Sequence, residues 1–152
     1  MRNWTILLVA VILISCKKNT YENYYSFANN GWNADSIICL TYTISDTTKK
    51  YNLSIKIRHT VDYKFQNLFL FLGASSKDTI EIMLANKSGK WLGEGVSDIR
   101  EFEYILNKER VFLKKGEYKL RIEQAMRHGA AEKIEKLEHI LDVGLMVSEH
   151  ND

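Results

Sequence analysis

The chain has no proline, and only two of its 152 residues are cysteine. Without a pyrrolidine ring no turn has a preset φ, so turns must be read from Gly, Asn, Asp and Ser. Two cysteines allow one disulfide at most. A dominant charge is missing too: 21 Lys and Arg against 19 Asp and Glu give a formal +2, a field too weak to point to nucleic acid or an acidic partner. No stretch reaches the ~20 apolar residues that a helix rising ~1.5 Å per residue needs to cross a bilayer core. Metal and nucleophile motifs are also absent. His59, His128, His139 and His150 form no HxH or HExxH, the cysteines are not paired, and there is no GxSxG. The stretch Ser88-Gly89-Lys90-Trp91-Leu92-Gly93-Glu94-Gly95 is glycine-rich but lacks the Gly-Lys-Ser/Thr end and the following helix of a P-loop. No metal, cofactor or catalytic residue is assigned.

What the chain does have is an apolar run from Trp4 to Ile14, behind a short N-terminus charged only at the α-amino group and Arg2. These are the n- and h-regions of a signal peptide. The run ends in Leu13-Ile14-Ser15-Cys16, which looks like a bacterial lipobox: an aliphatic residue three before the cysteine, a small residue just before it, then the thiol that takes the lipid. On this reading residues 1–15 are cleaved and lipidated Cys16 becomes the first residue, its chains making attachment effectively permanent. The remaining 137 residues suffice for one domain with a real core. Cys39 is then left without a disulfide partner. The alternative is a core strand over residues 6–14 with an ordinary buried cysteine. Lys17 and Lys18 carry no acidic retention or surface-export cue of the kinds known for bacterial lipoproteins, which favours the periplasmic face of the outer membrane.

Residues 16–33 read as the lipidated Cys followed by a tether and a loop, closing at Asn29-Asn30-Gly31 and docked by Tyr24, Tyr25, Phe27 and Trp32. A domain over 34–150 follows. Ile38, Leu40, Tyr42 and Ile44 alternate with polar residues, as do Tyr51, Leu53, Ile55 and Ile57, the two-residue period of half-buried strands. Leu68-Phe69-Leu70-Phe71-Leu72 is apolar on both faces and suits a central strand covered on two sides. Ile80, Ile82 and Leu84, then Tyr118, Leu120 and Ile122, then Leu141, Val143, Leu145 and Val147 give further strands, with weaker ones near Trp91 and Val111–Leu113. Ile134, Leu137 and Ile140, spaced by three, suggest a short helical turn. Short strands broken by polar turns, without long helices, predict an all-β antiparallel sandwich of immunoglobulin-like or jelly-roll topology.

Paired carboxylates among Asp62, Glu94, Asp98, Glu101, Glu123 and Asp142 would suffice for glycoside hydrolysis, but solvated faces and turns account for them better. Trp32, Trp91 and Tyr104 are candidates for a sugar-stacking shelf; loops pinned by buried aromatics are the alternative.

Taken in order, the motifs form a pattern. The lipobox, Tyr21-Glu22, Ser26-Phe27, Gly31-Trp32, Tyr51-Asn52-Leu53, Ile57-Arg58, Tyr63 and Asn67-Leu68-Phe69-Leu70 resemble the gliding-motility lipoprotein family GldH of the Bacteroidetes. The second half agrees through Lys90-Trp91-Leu92-Gly93-Glu94-Gly95 with Asp98-Ile99, Gly116-Glu117-Tyr118, Ile122 to Arg127 and Ile140 to Leu145. The resemblance covers essentially the whole chain, departing from the family pattern in its lack of proline and a short 73–79 connection. It implies a palmitate-bearing membrane lipoprotein needed for gliding, among envelope proteins associated with the motility machinery and type IX secretion, and without enzymatic activity.

A non-catalytic sandwich tethered at a membrane is an interaction module. Its candidate partner-binding residues are Trp91, Gly93 and Gly95 in the glycine-rich loop, with Gln124 and Arg127 in the turn region ending at His128. Glycines let another backbone approach, and Trp and Arg are hot-spot types. Equally, the glycines serve a bulge or tight turn. The rival reading is a carbohydrate-binding or carbohydrate-acting envelope lipoprotein, since sandwiches often host sugar sites.

Overall fold

The computed structural model describes residues 20–73, 78–130 and 132–150. Their strands are β1 (Thr20–Ser26), β2 (Gly31–Asn33), β3 (Ile38–Ile44), β4 (Lys50–Thr60), β5 (Asn67–Leu72), β6 (Asp78–Met83), β7 (Ile99–Val111), β8 (Gly116–Gln124), β9 (Lys136–Glu138) and β10 (Ile140–Glu149). A single 3-10 turn, Ala28–Asn30, joins β1 to β2. Two four-stranded antiparallel sheets, ordered β1-β10-β4-β7 and β3-β8-β5-β6, face each other, and β2 and β9 form a small ribbon. The neighbouring pairs β1 with β10, β3 with β8, β4 with β7 and β5 with β6 are nested, as when one long folded ribbon is rolled up. That order is the jelly roll, and it decides between the two sandwich topologies that the sequence allows.

Alternation builds the core. Tyr51, Leu53, Ile55, Ile57 and His59 of β4 and Val143, Leu145 and Val147 of β10 turn inward. They meet Ile38, Leu40, Tyr42 and Ile44 of β3, Leu68, Leu70 and Leu72 of β5, and Ile122 of β8 in one cluster. Each such side chain contributes roughly 1.5–3 kcal/mol by leaving water. The outward residues of β4, Lys56 and Arg58, stand instead in an ion-paired sheet face.

Register defines two ends. Thr20, Ser148 and Asn52 lie side by side at one, together with the Lys50–Val111 and Ile44–Gly116 pairs. Ser26, Asp142, Arg58 and Glu101 lie at the other, with Thr60 opposite Ile99. The eleven residues of β4, at ~3.3 Å per step, hold these ends roughly 33 Å apart.

Four expectations change. The tether and loop over 16–33 give way from Thr20 onward to β1, the 3-10 turn and β2, because β1 pairs with β10 along its whole length. Its Tyr-rich sequence suits an edge strand covered on part of each face. The helical turn before Ile140 is β9: Leu137 pairs opposite Trp32, and His139, at φ 70°, kinks the chain so that Leu137 and Ile140 both point inward. The long edge strand β7 replaces a weak one at Val111–Leu113. In β5 only Leu68, Leu70 and Leu72 are buried; Phe69 and Phe71 are half-buried on the outer face, against Thr79, Ala125 and Arg127, around a shallow recess of about 300 Å³. Residues 1–19, with the expected signal segment and the expected lipidation site Cys16, lie outside the described residues.

Candidate functional site

The segment from β6 to β7 crosses between the sheets and carries the glycine-rich loop. Asn86 starts it: its side-chain oxygen accepts from the backbone amides of Ser88 and Lys90, both at 3.0 Å, and from the Ser88 hydroxyl at 2.8 Å. Gly89 completes the turn at φ 81°, a left-handed conformation that only glycine adopts freely. The chain then returns, with Trp91 opposite Ala85 and the Leu92 amide donating to the Leu84 carbonyl at 2.8 Å.

Beyond Leu92 the loop lies on the free edge of β7. Glu94 and Glu101 exchange reciprocal backbone hydrogen bonds at 3.0 and 2.7 Å. On either side the backbones are so close that a Cβ on Gly93 would sit 2.6 Å from the Glu101 carbonyl oxygen, and one on Gly95 would overlap the Ile99 carbonyl. The glycines therefore act first as the means by which the loop covers a sheet edge, a position that otherwise exposes unpaired backbone groups.

The covering loop becomes a wall between two recesses. One, of about 480 Å³, is lined by Lys90, Trp91, Glu94 and Arg100 with the three glycines. The other, of about 830 Å³, lies between Leu92, Glu94 and Val96 of the loop and Lys56, Glu101 and Glu103 of the sheet. Val96 stands 86% exposed at its rim. Lys56 bridges Glu22 at 3.2 Å and Glu101 at 3.4 Å. Burial weakens its ammonium, but the bond to Glu22 and the negative surroundings outweigh this and raise its pKa. Arg58 reaches Glu101 at 2.8 Å and Asp142 at 3.2 Å and lies over the Tyr24 ring at 5.5 Å. Hydrogen bonding to Glu101 raises the Arg58 pKa further. Tyr24 covers Gly144, where a Cβ would run into its ring.

Under the loop, Trp91 packs on His59 with ring centroids 4.5 Å apart and near Tyr63 at 6.5 Å. His59 is fully buried. Its Nδ1 lies 2.8 Å from the Thr60 carbonyl and so carries the proton, while Nε2 has no hydrogen-bond partner among the described residues. Desolvation lowers its pKa, which keeps the ring neutral under Trp91.

The structure thus brings Trp91, Gly93 and Gly95 into one element and separates Gln124 and Arg127 from it. Gln124 is 6% exposed and points inward, donating to the Ile134 carbonyl at 2.7 Å and accepting from the Met126 amide at 3.0 Å. It braces the turn and is not accessible. Arg127 is exposed beside Phe69 and Phe71 on the other sheet. Of the shelf candidates, Trp32 is fully buried, stacked on Phe27 at 5.0 Å, and Tyr104 is packed against the core. Among the described residues no group of three or more His, Cys, Asp and Glu is placed to hold a metal ion. Sequence reading missed the Lys56, Arg58, Glu22, Glu101, Asp142 and Tyr24 network. The alternation of Lys56 and Arg58 signalled a polar face, but strand order decides which acids stand opposite.

The family model of the GldH lipoprotein matches residues 19–147. The gliding motility lipoprotein GldH of Flavobacterium johnsoniae is 36% identical over 151 residues, covering 95% of this chain and 94% of the relative. The GldH homolog of Christiangramia forsetii is 35% identical over 156 residues, covering 97% and 95%. The solved VP2 subviral particle of infectious bursal disease virus aligns with 90% of this chain and 34% of its own, at 17% identity and a TM-score of 0.39, too low for any inference. With its family model spanning most of the sequence and both relatives matched almost end to end, the chain belongs to the GldH lipoprotein family.

Proposed function

We propose that this protein is a gliding-motility lipoprotein that serves as a non-catalytic component of the envelope machinery associated with type IX secretion, anchored by lipid on Cys16 after removal of residues 1–15 and facing the periplasm from the outer membrane. The names of its relatives support the motility role. One observation supports the mode of action. The loop from Trp91 to Val96 is fixed from below by His59 and from the side by β7, yet opens a recess of about 830 Å³ at its outer face. A preformed, rigid recess binds a partner with little ordering cost. Its mixed lining of Leu92, Val96, Glu94 and Glu103 suits a protein partner with apolar and basic groups. The carbohydrate reading lacks its shelf, since Trp32 and Tyr104 are turned into the fold and Trp91 is packed on His59.

A photo-crosslinking residue in place of Val96, in the membrane-tethered protein of its own cells, tests this reading. Capture of motility or secretion proteins, lost on Trp91→Ala in a chain that still folds and localises, is the expected result. Capture of glycan transporters or glycanases, or normal assembly with Trp91→Ala, overturns it.

A further inference from the structure

The end of the sandwich remote from the glycine loop has an exposed apolar tip. Leu113 is 92% exposed and Val111 57%. Between them Phe112 is buried, with ring centroids 4.8 Å from Tyr118, 5.7 Å from Tyr51 and 6.1 Å from Tyr42. The Tyr118 hydroxyl donates to the Lys114 carbonyl at 2.7 Å. These contacts pin the turn on both sides of Leu113 and hold its side chain out in water, where a leucine forfeits the burial it has elsewhere in the chain.

The surroundings are basic. Within residues 46–50, 108–117 and 149 there are six Lys and Arg (Lys49, Lys50, Lys108, Arg110, Lys114, Lys115) against four Asp and Glu. Glu149 pairs with Lys49 and Glu109 with Lys50, each at 2.7 Å, so that Lys108, Arg110, Lys114 and Lys115 stand against Asp46 and Glu117. Lys114 and Lys115 are exposed next to Leu113, an arrangement suited to an apolar contact with a headgroup layer and cations held at its phosphates.

Chain connectivity says which surface this end meets. Thr20 opens β1 at the same end, and only Lys17, Lys18 and Asn19 separate it from Cys16. At no more than ~3.6 Å per residue, a lipid on Cys16 lies within about 14 Å of Thr20. A body roughly 33 Å long, held that tightly by one end, presents that end to the bilayer.

We propose that the turn from Phe112 to Gly116 is a membrane foot: Leu113, with Val111 beside it, enters the headgroup boundary of the bilayer that carries the anchor, and Lys114 and Lys115 engage anionic lipid phosphates. The proposal rests on lipidation of Cys16, which the experiment reads separately. It also places the glycine loop at the membrane-distal end.

The test uses the mature lipidated protein in vesicles of phosphatidylethanolamine and phosphatidylglycerol, with and without brominated acyl chains that quench tryptophan. Flotation reports the anchor. Trp32 and Trp91 lie toward the other end and supply an unquenched background. In Leu113→Trp the added emission is quenched on bromination, as an interfacial side chain at the headgroup and acyl boundary requires, in Val96→Trp it is not, and Lys114→Glu with Lys115→Glu weakens the effect. Both tryptophan positions are exposed, so the fold tolerates them. Flotation without quenching at 113, or with equal quenching at 96, overturns the foot while the anchor stands. Equal quenching in phosphatidylcholine alone removes the anionic contact, and failure to float, with unmodified Cys16 by mass spectrometry, removes anchor and foot together.

Discussion

Gly95→Ala tests whether the loop is held against β7 by backbone proximity. The added Cβ overlaps the Ile99 carbonyl oxygen and also meets the Ile99 carbonyl carbon at 2.9 Å and the Arg100 Cα at 3.1 Å. All are backbone atoms of a strand paired along its length with β4, so the loop moves and the strand stays. That movement separates Glu94 from Glu101 and breaks two backbone hydrogen bonds of 3.0 and 2.7 Å. At ~0.5–1.5 kcal/mol net each, the loss is about 2 kcal/mol. Gly89→Ala is the internal comparison: its Cβ meets nothing within 4 Å, and only the positive φ of 81° is strained, which costs about 1 kcal/mol. Urea unfolding of the detergent-solubilised mature protein gives both stabilities, and amide hydrogen exchange at Glu101 reports the bond to Glu94. Gly95→Ala should roughly double the Gly89→Ala loss and expose the Glu101 amide to exchange. A Gly95→Ala protein within ~0.5 kcal/mol of the parent, with Glu101 still protected, would refute the argument.

His59 makes stability depend on acid. Its folded pKa is lowered by desolvation, so as pH falls below the ordinary value near 6.5 the unfolded chain takes up a proton that the native ring refuses. Stability is full above that value and drops by up to ~1.4 kcal/mol per pH unit until the folded pKa is reached. His59→Leu should flatten the melting temperature between pH 7.5 and 5, and an unchanged slope would contradict it. Gln124→Leu leaves the Ile134 carbonyl and Met126 amide without their partner and should cost about 2–4 kcal/mol in urea unfolding, whereas a surface role for Gln124 predicts almost none. Phe112→Ala empties the ring cluster at the Thr20 end and should cost about 3–5 kcal/mol, read as a fall in melting temperature; a loss under ~1 kcal/mol would mean the turn is not pinned there.

Strands whose two faces differ sharply in polarity were legible. Leu53, Ile55 and Ile57 against Ser54, Lys56 and Arg58 announce β4, and the same contrast marks β3, β6, β8 and β10. β7 was not read as a strand although Phe102, Tyr104 and Leu106 alternate with Glu101 and Glu103: Ile105 breaks the contrast on its open face, and its inward face is only partly covered. The three-residue spacing at Leu137 and Ile140 imitated a helix because one left-handed residue, His139, shifts the phase. Trp91, Gly93 and Gly95 are singled out in the sequence by glycine content and residue type alone. What the glycines touch depends on which strand passes beside them, a long-range fact that no local pattern encodes. Gln124 misled for the opposite reason: an amide usually marks a surface, yet here it satisfies two buried backbone groups.

The seven-residue register of β1 on β10 has a mechanical consequence. Inter-strand hydrogen bonds lie across the strands, and β1 enters at Thr20 while the glycine loop is at the opposite end. Tension between Thr20 and that loop acts along the strand axis. The rungs of the ladder are then loaded in shear and resist together, where a sideways pull would peel them one at a time.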